Sequence, residues 1–211
     1  MRELPGPNRD YQAEVHFALA TVVQAITIAA LGSELVVALR DLQSPVSIWL
    51  FVTAVQSLLI CITFWFAFIM AYFSGFRLVR LSAMNHFVLA ATYFVIGLLQ
   101  FMAIQFLAEP RLWLTFVLML LAATLFSTWY ASHYIELVPL EGAGQAADTD
   151  PISRILVVVS LAAAACVVLW YAVPAIDTAV FRAISLSISG AGLLLLDVAA
   201  IRAFQQQLDG E

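Results

Sequence analysis

Residues 14–39 read EVHFALATVVQAITIAALGSELVVAL, an apolar stretch whose few polar side chains recur at helical spacing. At about 100° per residue, one narrow face of this segment carries His16, Gln24, Thr27, Leu31 and Glu34. His16 and Glu34 lie roughly 27 Å apart along such a helix, which is close to the thickness of the hydrocarbon core of a bilayer. Polar side chains are costly against lipid, so this face, called the polar stripe below, should face protein or water.

Apolar residues dominate the whole chain. Of the 211 residues, 64% are hydrophobic and 11% are charged, and the mean hydropathy is +0.98. Soluble domains average about 45–50% apolar and about 25% charged residues, so the composition predicts an integral membrane protein. The net charge of −5 argues against a nucleic-acid partner. Cys61 and Cys166 both lie inside apolar segments, which favours buried free thiols.

Six apolar segments, each near the ~20 residues that a spanning helix needs, predict an all-α polytopic membrane fold. They cover residues 14–39, 46–73, 83–107, 112–136, 152–173 and 179–204. Pro45 suits the first turn of the second helix. The predicted organisation is a polar N-terminal tail at 1–12, four helices within 13–137, an acidic flexible loop at 138–151, two helices within 152–205 and a C-terminal tail at 206–211.

The distribution of arginine predicts the orientation. With the N-terminus inside, the inner segments hold Arg2, Arg9, Arg77, Arg80, Arg154 and Arg202, and the outer ones hold Arg40, Arg111 and Arg182. This excess on one side places both termini in the cytoplasm, because positive charge accumulates in cytoplasmic loops. Two further expectations concern packing. Trp113 and Trp170 should lie in interfacial aromatic belts, and Ser185, Ser189 and Gly192 should form a close-packing face on the sixth helix.

The mid-membrane polar residues allow two interpretations. Gln24 and Thr27 either line a water-filled path where copies of the first helix meet around an axis, or hydrogen-bond a neighbouring helix. Gln100 and Gln105 in the third helix are expected to bridge helices.

Asp197 lies inside the last helix, and three interpretations are open for it. It is exposed at the interface, paired with Arg202, or a protonatable site. We find no arrangement of residues typical of catalysis, no metal-ligand cluster and no cofactor motif, so the chain is not predicted to be an enzyme.

From Ala18 the first segment reads ALATVVQAITIAALGSEL. This run resembles the first helix of the six-helix potassium channels of the lysosomal type, through residues 25–28 and the closing Glu34. Residues 19–21, Leu-Ala-Thr, stand where that family has Phe-Ser-Asp. The resemblance implies a tetramer in a bacterial inner membrane, with Ile28 and Leu31 as candidates for an apolar constriction. An apolar constriction between polar residues is also how a hydrophobic gate excludes water.

Together these features predict a homo-oligomeric channel that passes ions along an axis lined by the first helix. Glu34 and the acidic excess favour cations. The expected partners are the lipid bilayer and copies of the chain itself. The alternative is a membrane-embedded scaffold or effector subunit that docks a cytoplasmic protein through its polar loop and tails. A third possibility is a proton-coupled transporter built around Asp197.

Overall fold

The computed structural model describes residues 9–40, 45–71, 83–134 and 150–209. Within these ranges the chain is almost entirely helical, apart from short connections at 106–109, 173 and 177–178, and contains no strand. The helices are α1 (Arg9–Arg40), α2 (Pro45–Ala71), α3 (Ala83–Gln105), α4 (Pro110–Tyr134), α5 (Asp150–Ala172) and α6 (Ala179–Asp209), and a short 3-10 helix at Pro174–Ile176 joins α5 to α6.

Each of the six helices contains a segment long and apolar enough to cross a membrane. These segments are Glu14–Arg40, Pro45–Phe66, Phe87–Gln105, Pro110–Tyr130, Arg154–Ala172 and Ala179–Ala199. The predicted all-α fold with six membrane-spanning helices is therefore confirmed, and the chain is an integral membrane protein. The cytoplasmic location of both termini stays a prediction.

The helices at both ends of the chain extend beyond the predicted apolar segments. Helix α1 begins at Arg9, within the polar tail expected at 1–12, and α6 continues to Asp209, within the tail expected at 206–211. The two extensions, residues 9–13 and 205–209, include good helix formers such as Arg, Gln, Ala and Leu, which let a helix continue past its apolar segment. Of the loop expected at 138–151, residues 138–149 lie outside the described residues, and Pro151 occupies the first turn of α5.

Helix α2 has neighbouring helices on several sides. It contacts α1, α3, α4 and α6, while the remaining contacts run between α1 and α3, α3 and α4, α4 and α5, and α5 and α6. The helices thus follow the order α1, α2, α6, α5, α4, α3 around a closed ring, in which α2 leans inward. Because α2 has protein on several sides, its polar residues are the ones best placed to bond other helices.

Two tryptophans belong to the core and not to a lipid-facing belt. Trp113 and Trp170 are both 0% exposed, so the prediction of an interfacial position was wrong for them. The indole N–H of Trp113 donates a 2.8 Å hydrogen bond to Oγ of Ser57, which gives the polar end of the ring a partner inside the bundle. Trp170 packs edge-on against Phe181, with ring centroids 5.2 Å apart.

At two places, a glycine without a side chain makes room for a valine of the neighbouring helix. A Cβ on Gly97 of α3 would overlap Cγ1 of Val23 on α1, and a Cβ on Gly192 of α6 would lie 2.9 Å from a methyl group of Val159 on α5. Ser185 and Ser189 are buried on the same side of α6. The small-residue packing face predicted on the sixth helix is confirmed.

Candidate functional site

The polar stripe of α1 faces the interior of its own subunit. His16, Gln24, Thr27 and Leu31 are only 5%, 2%, 1% and 1% exposed, because α1 lays this face against α2 and α3. The other two predicted pore-lining residues lie elsewhere: Ile28 is 39% exposed on the outer surface and Glu34 is half-buried. The structure therefore brings together His16, Gln24, Thr27 and Leu31, and separates Ile28 from them.

The centre of the stripe is bonded directly to α3. Nε2 of Gln24 donates a hydrogen bond of 2.9 Å to Oε1 of Gln100, and both side chains are 2% exposed. The sequence predicts a bond to another helix for Gln100 and leaves Gln24 open between a water-filled path and such a bond; the structure pairs the two side chains with each other. Gln105, predicted to bridge helices in the same way, is exposed near the end of α3.

Toward the N-terminal ends of α1 and α3 from this pair, an aromatic contact joins the same two helices. The ring of His16 meets the ring of Tyr93 edge-on, with centroids 5.7 Å apart, and both residues are buried. Tyr93 and Gln100 are seven residues apart on one face of α3, matching His16 and Gln24 eight residues apart on α1. Because the two spacings nearly match, the His16–Tyr93 and Gln24–Gln100 contacts can form together and favour one register of α1 against α3. Gly97, between Tyr93 and Gln100, leaves room for Val23 of α1.

Thr27 satisfies its hydroxyl within its own helix. Its Oγ1 donates to the backbone oxygens of Val23 and Gln24, at 3.1 and 2.9 Å. This is the usual behaviour of a threonine in an apolar helix, where the side chain folds back onto the preceding turn. The residue thus adds no polar group that needs a partner outside the subunit.

The polar residues of α2 form hydrogen bonds to α4, to α6 and to the turn between α3 and α4. Oγ1 of Thr53 donates to the backbone oxygen of Leu107 at 2.6 Å. The side chain of Gln56 donates to the backbone oxygen of Leu186 at 2.6 Å and accepts a 3.0 Å hydrogen bond from Ser189. Ser57 accepts from Trp113, as described above; sequence reasoning missed this pair, since a serine and a tryptophan in separate apolar segments carry no distinctive pattern.

Asp197 of α6 is half-buried and bonded to α2. Its Oδ1 accepts a 2.6 Å hydrogen bond from Oγ1 of Thr63, while Arg202 is exposed. A carboxylate inside an apolar helix is costly without a partner, and the threonine hydroxyl supplies one donor. The pairing of Thr63 with Asp197, 134 positions apart in the sequence, follows only from the fold.

A charged cluster ties α4 to the turn between α5 and α6, at the opposite end of α6 from Asp197. Arg182 donates from Nε and Nη2 to the two carboxylate oxygens of Asp177, at 2.7 and 3.0 Å. Arg111 of α4 lies 3.7 Å from the same carboxylate and stacks over the ring of Tyr171. The hydrogen bonds from Arg182 hold the pKa of Asp177 below its ordinary value, with smaller support from the charges of both arginines.

Two small cavities lie inside the bundle. One is bounded by α4, α5 and α6 and includes Ser185 and Ser189 in its lining; the other is bounded by α2, α3 and α4 and includes Ser57, Cys61 and Gln100. Each offers about 10 Å³ to the centre of a water molecule, which corresponds to one water. Neither cavity is large enough to hold a hydrated ion.

In the part of the chain that the structure describes, there is no group of three or more histidine, cysteine or acidic side chains placed to bind a metal. Comparisons of the chain with models of protein families, with curated proteins and with solved structures find no match.

Proposed function

We propose that this protein is a membrane-embedded scaffold subunit, whose closed six-helix bundle holds a polar loop and two polar ends for a cytoplasmic partner. The observation that carries this proposal is the hydrogen bond from Gln24 to Gln100, made between two side chains that are each 2% exposed. It gives the polar stripe a role inside one subunit, as a helix–helix contact.

The use of the other intramembrane polar groups supports the same function. Gln56, Ser57 and Thr63 bond side chains or backbone of neighbouring helices, and Thr53 bonds the turn that follows α3. Interhelical hydrogen bonds of this kind contribute about 0.6–2 kcal/mol each, so their sum favours a single, rigid arrangement of helices. A rigid bundle with small cavities is more typical of a protein that positions a partner protein than of one that transports a solute.

The chemistry of the loop indicates the kind of partner. Residues 138–149 join α4 to α5 and read VPLEGAGQAADT, with two carboxylates and no basic residue. A cytoplasmic protein with a basic surface would complement this charge. In this proposal the bundle lies in a bacterial inner membrane with the loop on the cytoplasmic side.

Reconstitution into liposomes tests the proposal against conduction. We expect the purified wild-type protein to give no K⁺, Na⁺ or H⁺ flux above that of empty vesicles. Gln24→Ala should lower the midpoint of thermal unfolding in detergent, and Thr27→Val, which removes a hydroxyl that bonds back onto its own helix, should leave it nearly unchanged. Neither variant should create or change a flux. A wild-type flux that Gln24→Ala alters, while the thermal midpoint stays unchanged, would overturn the scaffold function.

A homo-oligomeric cation channel is the second candidate, and the outer surface of α1 favours it. Ile28 is 39% exposed there, and no atom beyond the neighbouring backbone lies within 4 Å of a Cβ placed on Gly32. Ala25 and Ala29 are exposed on the same face, and small residues let helices of separate copies approach closely. The resemblance of α1 to potassium channels of the lysosomal type points the same way, with Ile28 at the constriction and Glu34 near one end.

Particle mass distinguishes the two candidates. Native mass spectrometry should show one chain per particle for a scaffold that awaits its partner, and four for the tetrameric channel. The substitution Gly32→Leu, which adds bulk to the outer face of α1, should leave a monomer intact and dissociate a tetramer.

A further inference from the structure

We propose that the cavity between α2, α3 and α4 is a binding site for one water molecule, held by Gln100 and Ser57. This water would complete a line of hydrogen bonds through four helices. The site is independent of the proposed scaffold function, since it concerns only how the bundle is held together.

The first observation is an incomplete amide pair. Two carboxamides can exchange two hydrogen bonds, but Gln24 and Gln100 exchange one, from Nε2 of Gln24 to Oε1 of Gln100. Nε2 of Gln100 and Oε1 of Gln24 are buried without a hydrogen-bond partner among the described residues. Exchanging the oxygen and nitrogen positions of both amides leaves the same deficit, because one donor group and one acceptor would still be unpaired.

The second observation is the place of Gln100 in the wall of a cavity of suitable size. The cavity is lined by Ser57, Ile60, Cys61, Gln100, Ala103, Ile104 and Leu120. It offers about 10 Å³ to the centre of a water molecule, which is about the space that one bound water needs. An unpaired buried donor loses its hydration without gaining a partner, and a water that it can bond removes most of that cost.

Ser57 supplies the second partner that a buried water needs. Its Oγ accepts from the indole of Trp113 and keeps its own hydroxyl hydrogen to donate. The water accepts one hydrogen bond from Nε2 of Gln100 and one from Ser57, and its hydrogens face the thiol of Cys61, a weak acceptor. The completed line runs from Trp113 through Ser57, the water and Gln100 to Gln24, and so joins α4, α2, α3 and α1.

A direct test is a structure of the full chain at better than about 2 Å resolution. We expect a density peak within hydrogen-bond distance, about 2.7–3.2 Å, of both Nε2 of Gln100 and Oγ of Ser57. A well-ordered cavity without such a peak would overturn the proposal.

An indirect test uses a substitution that should lower the thermal midpoint if the cavity holds water and should not lower it if the cavity is dry. Ala103 is 3% exposed and lines the cavity, so Ala103→Val places two methyl groups in it. In a hydrated cavity this change expels the water, leaves Gln100 unpaired and lowers the thermal midpoint by a few degrees. In a dry cavity it fills a void and raises the midpoint or leaves it unchanged.

The matched background is Gln24→Met with Gln100→Met, which removes both amides at nearly constant side-chain length. If the water is bound in the wild type, Ala103→Val should be clearly less destabilising in this background. An equal loss in both backgrounds would mean that overpacking and not water displacement is the cause, and would contradict the proposal.

Discussion

Gln24 on α1 and Gln100 on α3 hydrogen-bond each other at 2.9 Å in the interior of the subunit, 76 positions apart in the sequence. Around this bond, α1 and α3 run side by side in one register, with His16 against Tyr93 on one side of it and Val23 against Gly97 beside it. The pair thus fixes which face of α1 is turned inward.

Replacing either glutamine of the pair should destabilise the bundle. Gln24→Leu or Gln100→Leu leaves the other amide buried with fewer partners, and we expect each to lower the free energy of unfolding by about 1–2 kcal/mol. Thr21→Ala is the matched control on α1, since Thr21 is exposed and bonds only its own helix. The double variant should lose less than the sum of the two single losses, as measured by thermal unfolding in detergent. Additive losses would show that the two amides act independently.

Two glycines should respond in opposite ways to the same substitution. Gly97→Ala places a methyl group onto Cγ1 of Val23, so the Val23 side chain must leave its position or α1 and α3 must move apart, and the thermal midpoint should fall by several degrees. Gly32→Ala meets open space and gains up to about 1 kcal/mol of helix propensity, so the midpoint should hold or rise. Val23→Ala should partly restore Gly97→Ala. A stable Gly97→Ala variant would contradict the close α1–α3 approach.

The sequence predicts the architecture well because hydropathy is a local property. Six apolar segments of spanning length and their separating prolines are readable from neighbouring residues, and the structure confirms them. That a polar stripe turns away from lipid is predictable from equally local information, because polar groups are costly against lipid throughout the hydrocarbon core.

The partner of that stripe was not predictable from the same pattern. Helical spacing shows that Gln24 must face protein or water, but whether the protein is α3 of the same chain or α1 of another depends on contacts distant in sequence. Trp113 illustrates the same limit. Its place at the start of a helix is typical of an interfacial tryptophan, yet Ser57 provides a buried acceptor that lets the whole ring enter the core.

The charged cluster at the α5–α6 turn should make stability depend on acid. Because the pKa of Asp177 lies below its ordinary value of 3.8 in the folded protein, its contribution is fully present above that value and is lost as the pH falls through the lowered pKa. Asp177→Asn should therefore lower the thermal midpoint at neutral pH by a small amount and reduce its dependence on pH in acid. The control is Glu109→Gln, which changes an exposed carboxylate two residues before Arg111 and should keep the wild-type profile. Parallel acid profiles for wild type and Asp177→Asn would exclude this role.

Substitutions at Thr63 and Asp197 can distinguish a structural role of the Asp197 carboxylate from a role in proton coupling. Thr63→Val removes the 2.6 Å donor and should lower the thermal midpoint by a few degrees, while Thr63→Ser retains a hydroxyl and should restore it. Asp197→Asn keeps an acceptor at Oδ1, so a structural carboxylate tolerates this change with little loss. If Asp197 instead exchanges protons during transport, Asp197→Asn should leave the thermal midpoint intact and abolish solute uptake driven by a pH gradient in liposomes, since the amide does not titrate. The thermal midpoint and the solute uptake are independent measurements, because the midpoint depends on the hydrogen bond from Thr63 and the uptake depends on proton exchange at Asp197.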